Sequence, residues 1–161
     1  MTKKIKFKFF TRNNGHSKGK YKSLNCGLKS KDQSNLIQLN ISKAVTQISK
    51  TPKNLILPSQ SHSNKCIIVS NNQKNYNCDA LVSNDLNCIL GITTADCLPI
   101  IFYDDNENNI GICHAGWKGL TRGIIENTIN KMNYLGSKNR KIAAVIGPCI
   151  RKMSYEVSES F

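Results

Sequence analysis

The sequence predicts a mixed α/β (α+β) fold, one domain in which mixed β-sheets are flanked by helices. Short apolar runs recur at Leu55–Leu57, Lys65–Val69, Ala80–Val82, Cys88–Thr93, Pro99–Tyr103 and Ile110–His114, each the length of a buried strand. Two longer stretches carry apolar residues at helical spacing instead. The 161-residue chain is long enough for one domain with a real core, and it shows no repeat or linker that would divide it.

The elements follow in order. Ile5–Thr11 alternates apolar and basic residues, the pattern of a half-buried strand. Residues 12–28 form a loop rich in Gly, Ser, Asn and Lys. Ser30 with Gln33 reads as a capping box for a helix carrying Ile37, Ile41, Ala44, Val45 and Ile48, closed by Pro52. Asp104–Asn109 (DDNENN) has strong turn propensity and makes the last two apolar runs a hairpin. From Thr121 a second helix presents Ile124, Ile125, Thr128, Ile129 and Met132 on one face, with Gly136 as its stop. Ile142–Ile146 reads as a further buried strand, ended by Gly147–Pro148. Tyr155–Phe161 reads as the start of a helix with no polar tail, so the fold is expected to continue past Phe161.

Composition narrows the class. No apolar run approaches a membrane span, and MTKKIKFKFF lacks the small-residue cleavage pattern of a secretory signal. Seven cysteines without a CxxC pair argue against a disulfide framework and for a reducing cytoplasm. Cys66, Cys88 and Cys113 lie in apolar runs as small core residues, whereas Cys26, Cys78 and Cys149 lie in polar or turn surroundings. The formal net charge of +13 invites a nucleic-acid or anionic-ligand surface. The excess is mostly Lys, scattered among many Asn and Ile as a codon bias would scatter it, with no nucleic-acid-binding motif beside it. A solvated Lys coat is the expectation, and no specific nucleic acid is expected as partner.

The chemistry concentrates in ITTADCLPIIFYDDNENNIGICHAGWKGLTRG, residues 92–123. Cys97 sits in a polar bend between apolar runs. His114 ends the next run, and Gly116 and Gly119 beyond it let backbone approach a ligand closely. His62 stands in SQSHSNK after Pro58, flanked by small polar residues that leave its ring accessible, and His16 is a loop residue expected at the surface. Together His62, Cys97 and His114 supply N, S and N donors from three strand ends. Zinc favours this set, and three protein ligands with one open position is its catalytic arrangement. Copper competes, because a His₂Cys set also describes blue-copper sites, which add a weak axial ligand, often Met. Without metal, Cys97 and His114 would form a nucleophile–base pair. Asp96 either orients a ring or caps a turn.

Six blocks of this sequence resemble, in order, those of one family. TRNNGHSKGKYKSLNCGL is similar to TRxGGxSxGxYxSLNxG, and SQSHS to a Q-V-H-G block. DALVS is similar to D-A-L-V-T, TTADCLPI to T-A-D-C-x-P, HAGWKGL to H-A-G-W-R-G, and IGPCIRKMSYEV to I-G-P-C-I-x-x-x-x-Y-E-V. The family is that of the YfiH-type, laccase-domain purine nucleoside phosphorylases. The resemblance implies an α/β fold similar to the catalytic domain of cytotoxic necrotizing factor toxins. It also implies one zinc ion on His62, Cys97 and His114, the trio that the donor chemistry selects. The implied activity is phosphorolysis of adenosine, inosine and methylthioadenosine, with adenosine deamination beside it, so a purine nucleoside and phosphate are the implied partners.

Arg12 and Lys118 are the candidate phosphate anchors, Asn25 a candidate ribose ligand and Trp117 a candidate purine stacker. A copper polyphenol oxidase, a Cys–His hydrolase, and an inactive fragment or basic binding protein are the alternatives. This chain departs from the family pattern at Asn14 (usually Gly), at Ser61 and Ser63 (Val and Gly), at Lys118 (Arg) and at Ser158 (Gly). Family members continue well beyond the YEV block, so residues 1–161 are expected to form one domain lacking its C-terminal portion.

Overall fold

A computed structural model describes residues 5–49, 54–69 and 75–159. Its elements are α1 (Ser34–Thr46), β1 (Asn54–Ile56), β2 (Cys66–Ile68), β3 (Ala80–Ser83), β4 (Cys88–Leu90), β5 (Leu98–Asp104), β6 (Asn109–Ala115), α2 (Trp117–Thr121), α3 (Ile124–Tyr134) and β7 (Ala143–Ile146). The main sheet has the strand order β2-β3-β6-β5-β7. Only β2 and β3 run parallel in it, and β1 pairs in parallel with β4 in a small second sheet. This is the mixed α/β architecture that the sequence predicts.

Alternation along the central strands covers the main sheet on both faces. In β3, Ala80 and Val82 join Cys113 and Ala115 of β6 and Ile100 and Phe102 of β5 in a core capped by Ile124 and Met132 of α3. Leu81 faces the other way, into a second core with Ile56, Tyr76, Cys78 and Cys88 beneath the small sheet. A strand clad on both sides reads as a continuous apolar run, which is how ALVS and LPIIF read. The predicted hairpin forms with Asp104 opposite Asn109. Cys66, Cys88 and Cys113 are buried as expected, and burial pushes the Cys66 and Cys113 thiols up to about 12.

Several local expectations are corrected. Residues 5–11 join no ladder; Phe9 instead packs over Gly147, and Phe7 stacks on Tyr103. The first helix starts at Ser34 with no side-chain cap bond, and Asp32, not Ser30, accepts from the Gln33 N–H. The helix predicted from Thr121 forms as α3 but starts at Ile124, and Thr121 instead ends the short α2 before it. Gly123 at φ 81° turns the chain between α2 and α3 in a conformation that residues with a side chain seldom adopt. The Cys88 run is a strand only to Leu90. Strand β7 is half-exposed, with Ile146 66% accessible, because it is the sheet's end strand. Cys78 is fully buried: its polar neighbours Asn77 and Asp79 hid a core position. Tyr155–Glu159 is not helical. Pro52, the expected stop of the first helix, and Ser160 and Phe161, the end of the expected last one, lie outside the described residues.

Candidate metal centre

Sheet register brings two of the three predicted ligands together, and a loop delivers the third. Strands β5 and β6 pair Leu98 with Ala115 and Pro99 with His114, so Cys97, one residue before β5, arrives beside Gly116, one residue past β6. Strand β3 pairs Ala80 with Cys113, which sets Asp79 beside His114. The His114 N–H donates to the Asp79 carbonyl at 2.7 Å, and its ring Nδ1 lies 2.9 Å from Asp79 Oδ1. His62 comes from the loop between β1 and β2. Its ring meets that of His114 edge-on, with centroids 4.8 Å apart. Ligand atoms of His62, Cys97 and His114 all lie within 4.8 Å of one another, the one such trio among the described residues. His62 is exposed, Cys97 half-buried and His114 buried, so the cluster opens to solvent on one side.

The donor set fits a metal. Two imidazoles and a thiol on separate elements match zinc, and the missing side chain of Gly116 leaves the room they need. A Cβ at Gly116 would stand 2.8 Å from His62 Cδ2 and 3.1 Å from Cys97 Sγ. Burial raises the Cys97 thiol above its ordinary value, and the Asp96 and Asp79 carboxylates raise it further. A cation reverses that balance in favour of thiolate. The methionines that a blue-copper site would draw on lie elsewhere: Met132, on α3, is fully buried in the main core and Met153 is 94% exposed.

The centre floors a cleft of about 730 Å³ that holds His62, Cys97 and His114 in its wall together with Lys29, Gln60, Tyr76, Thr93 and Asp96. Gln60 fastens the far wall, donating to the Thr93 carbonyl at 2.8 Å while its Oε1 accepts the Thr93 N–H at 3.0 Å. The substrate candidates stand differently. Arg12 is exposed and donates to the Lys22 carbonyl, and Lys118 is exposed over the Trp117 ring; neither lines the cleft. Asn25 lies behind the wall, donating to Ser30 Oγ and Asp32 Oδ2 and accepting from the Gly27 N–H. Trp117 is also outside the lining.

Sequence reasoning passed over Lys29, the cleft's one basic lining residue among those described, whose Nζ donates to the Gln60 carbonyl at 3.0 Å. It also passed over Asp79 and Asn40. The buried Asn40 accepts from the His16 N–H and donates to Ser17, Ser23 and Asn25, folding the Gly-rich loop against α1. Asp79 carried a readable signal, a carboxylate one residue ahead of a fully buried strand. Lys29 carried none among 23 basic residues.

An α/β domain with an open N, S, N cluster at adjoining strand ends is a candidate metalloenzyme domain. The multi-copper polyphenol oxidoreductase laccase family model matches residues 6–161, and the chain belongs to that family. It is 32% identical over 160 residues to a purine nucleoside phosphorylase of Bacteroides thetaiotaomicron, covering 92% of this chain and 59% of that protein. A purine nucleoside phosphorylase of Rickettsia prowazekii is 32% identical, with 99% and 63% covered. The hypothetical protein YfiH of Bacillus licheniformis has a solved structure that superposes with TM-score 0.86 at 29% identity, covering 92% of this chain and 60% of that one. The chain thus spans about three-fifths of the length of the curated relatives it matches. No helix among the described residues is long and apolar enough to cross a membrane.

Proposed function

We propose that this chain carries the active centre of a zinc-dependent purine nucleoside phosphorylase acting on adenosine, inosine and methylthioadenosine, with adenosine deamination as a side activity in the cytoplasm. The observation that carries this reading is the His62–Cys97–His114 trio in the wall of a nucleoside-sized cleft, in a chain whose matched relatives bear the phosphorylase name.

In phosphorolysis a phosphate oxygen bonds to the sugar carbon as the glycosidic bond breaks, and the bond's electron pair leaves with the purine, which takes up a proton. His62, Cys97 and His114 would hold the zinc ion, and zinc supplies Lewis acidity there. Lys29 anchors the phosphate, since it is the one Lys or Arg lining the cleft among the described residues. Asp96, on the same wall, accepts hydrogen bonds from the sugar or base. The tied wall of Gln60 and Thr93 gives the nucleoside a rigid surface to lie against. Arg12 and Lys118 serve from outside the cleft by attracting the anion.

The test is base release. Zinc-loaded protein is expected to free adenine from adenosine only when phosphate is present, with ammonia release as the slower side reaction. His62→Ala and Cys97→Ala are each expected to abolish both. Unchanged turnover in either variant, or no phosphate-dependent adenine from protein shown to contain zinc, removes the reading. Metal analysis of protein purified without added metal separates zinc from copper.

A further inference from the structure

Behind the proposed ligands sits a fully buried carboxylate with an unusual load. Asp79 Oδ1 accepts from the Ser61 N–H at 3.2 Å and the His62 N–H at 3.0 Å, and it lies 2.9 Å from His114 Nδ1. Oδ2 accepts from the Ser61 N–H at 3.2 Å, the Ser63 N–H at 2.7 Å and the Ser63 hydroxyl at 2.7 Å. Three consecutive backbone N–H groups thus converge on one anion, the geometry of a backbone nest. The middle residue of that nest is His62, held at φ 59°, a left-handed conformation rare for a residue with a side chain. Nothing in the local sequence SQSHSN favours it as a glycine would. The carboxylate collects the donors that only this bend brings together.

We propose that Asp79 is the positioning residue of this centre, one buried carboxylate that shapes the His62 bend and fixes the His114 ring for metal binding. An ionised carboxylate only accepts, so the contact requires the proton on His114 Nδ1 and leaves the Nε2 lone pair for the cluster. The His62 backbone and the His114 ring, 52 positions apart in the chain, are therefore held by the same group. Ser63 adds a contact of its own. Where the resembled family has Gly beside the His, this chain places a hydroxyl that donates to Oδ2. The ligand reading of His62 and His114 belongs to the function proposed above; the hold of Asp79 on them stands on the geometry.

Nitrogen-resolved NMR of ¹⁵N-histidine-labelled, metal-free protein tests that hold without any metal. His114 is expected as the Nδ1–H tautomer, distinguishable from the exposed His16 and His62. The Nε2–H tautomer at His114 overturns the proposal. Zn²⁺ affinity, by competition with a chelator, and the thiolate absorption of a Co²⁺ adduct test the consequence. Asp79→Asn puts an amide N–H toward one set of donors, so zinc binding is expected to weaken about 10- to 100-fold, with the tautomer preference lost. Folded Asp79→Asn protein that binds Zn²⁺ like wild type overturns the proposal. Should that variant not fold, Ser63→Ala decides: it removes one hydroxyl donor, keeps the His114 contact, and is expected to weaken zinc several-fold with the tautomer intact. Wild-type zinc affinity in Ser63→Ala with unfolded Asp79→Asn reduces Asp79 to a fold residue and overturns the proposal. Wild-type protein that takes no zinc yet shows the Nδ1–H tautomer overturns the metal centre and leaves the Asp79–His114 contact confirmed.

Discussion

Gly116→Ala isolates the candidate centre from the fold. The added Cβ would lie 2.8 Å from His62 Cδ2, where ordinary contact begins at 3.4 Å, and 3.1 Å from Cys97 Sγ. Relief therefore takes a displacement of at least about 0.6 Å at His62, three times the roughly 0.2 Å within which metal–ligand distances are held. Because His62 is exposed, its ring can swing outward at little cost to the core. Gly116 itself has an extended conformation, φ −73° and ψ 163°, that Ala adopts without strain. As the residue preceding α2, Gly caps slightly better than Ala, by about half a kcal/mol. Restricting the unfolded chain returns about 0.4–1 kcal/mol, so stability stays nearly level. Expected, then, are a melting temperature within a few degrees of wild type and a zinc affinity lower by about 100-fold, the upper end of what loosening a site's support costs. Thermal melts of metal-free protein and chelator competition read the two quantities separately. A Gly116→Ala protein that holds zinc as tightly as wild type would refute the reasoning, since the cluster could not then depend on that gap.

Three further outcomes are expected. Lys29→Ala should raise the KM for phosphate about tenfold, the scale of one charge-assisted contact, while Arg12→Ala, which removes only attraction from outside the cleft, raises it less; steady-state kinetics at saturating nucleoside compares them. Burial alone would raise the Asp79 carboxyl, but the hydrogen bonds from His114, Ser63 and Ser61 outweigh it and hold the group below the usual carboxylate range. Its contribution to stability is thus complete above about pH 4 and is lost as pH falls through the lowered value; melts of metal-free protein from about pH 2 to 6 should show that acid limb, flattened in Asp79→Asn. Alkylation of the native protein at about pH 8 should spare Cys66 and Cys113, pushed up to about 12, and Cys78, pushed up to about 11, while zinc protects Cys97; peptide mass spectrometry of each cysteine checks it.

The sequence carried the ligands more clearly than their surroundings. Apolar runs and the DDNENN turn announced β5, β6 and their hairpin, because alternation and turn propensity are local properties. Once that hairpin is drawn, Cys97 and His114 must be near neighbours. His62 followed from donor chemistry and from resemblance, since no local pattern states that the loop after β1 reaches the end of β6. Two misreadings share one cause. Cys78 and residues 5–11 read differently from their neighbours in the chain than from the fold, where tertiary contacts decide both: the second core around Cys78 and Gly147 under Phe9. The helix start differs by local competition, since the adjacent Asp32 accepts the Gln33 N–H that a capping Ser30 would take.

Asp79 shows why the support of such a centre is hard to read from the chain. Its donors lie 16 to 18 positions before it and 35 after it, and a buried carboxylate is satisfied only when all of them arrive together. A lone Asp ahead of a strand looks the same whether it ends a loop or gathers every one of these donors. The structure separates the two by burial: leaving that carboxylate in the core without its partners would cost several kcal/mol, so the Ser61–Ser63 bend and the His114 ring are held in place for as long as the fold persists. The His62 backbone bend and the orientation of the His114 ring are therefore properties of the folded chain before any metal or nucleoside reaches it.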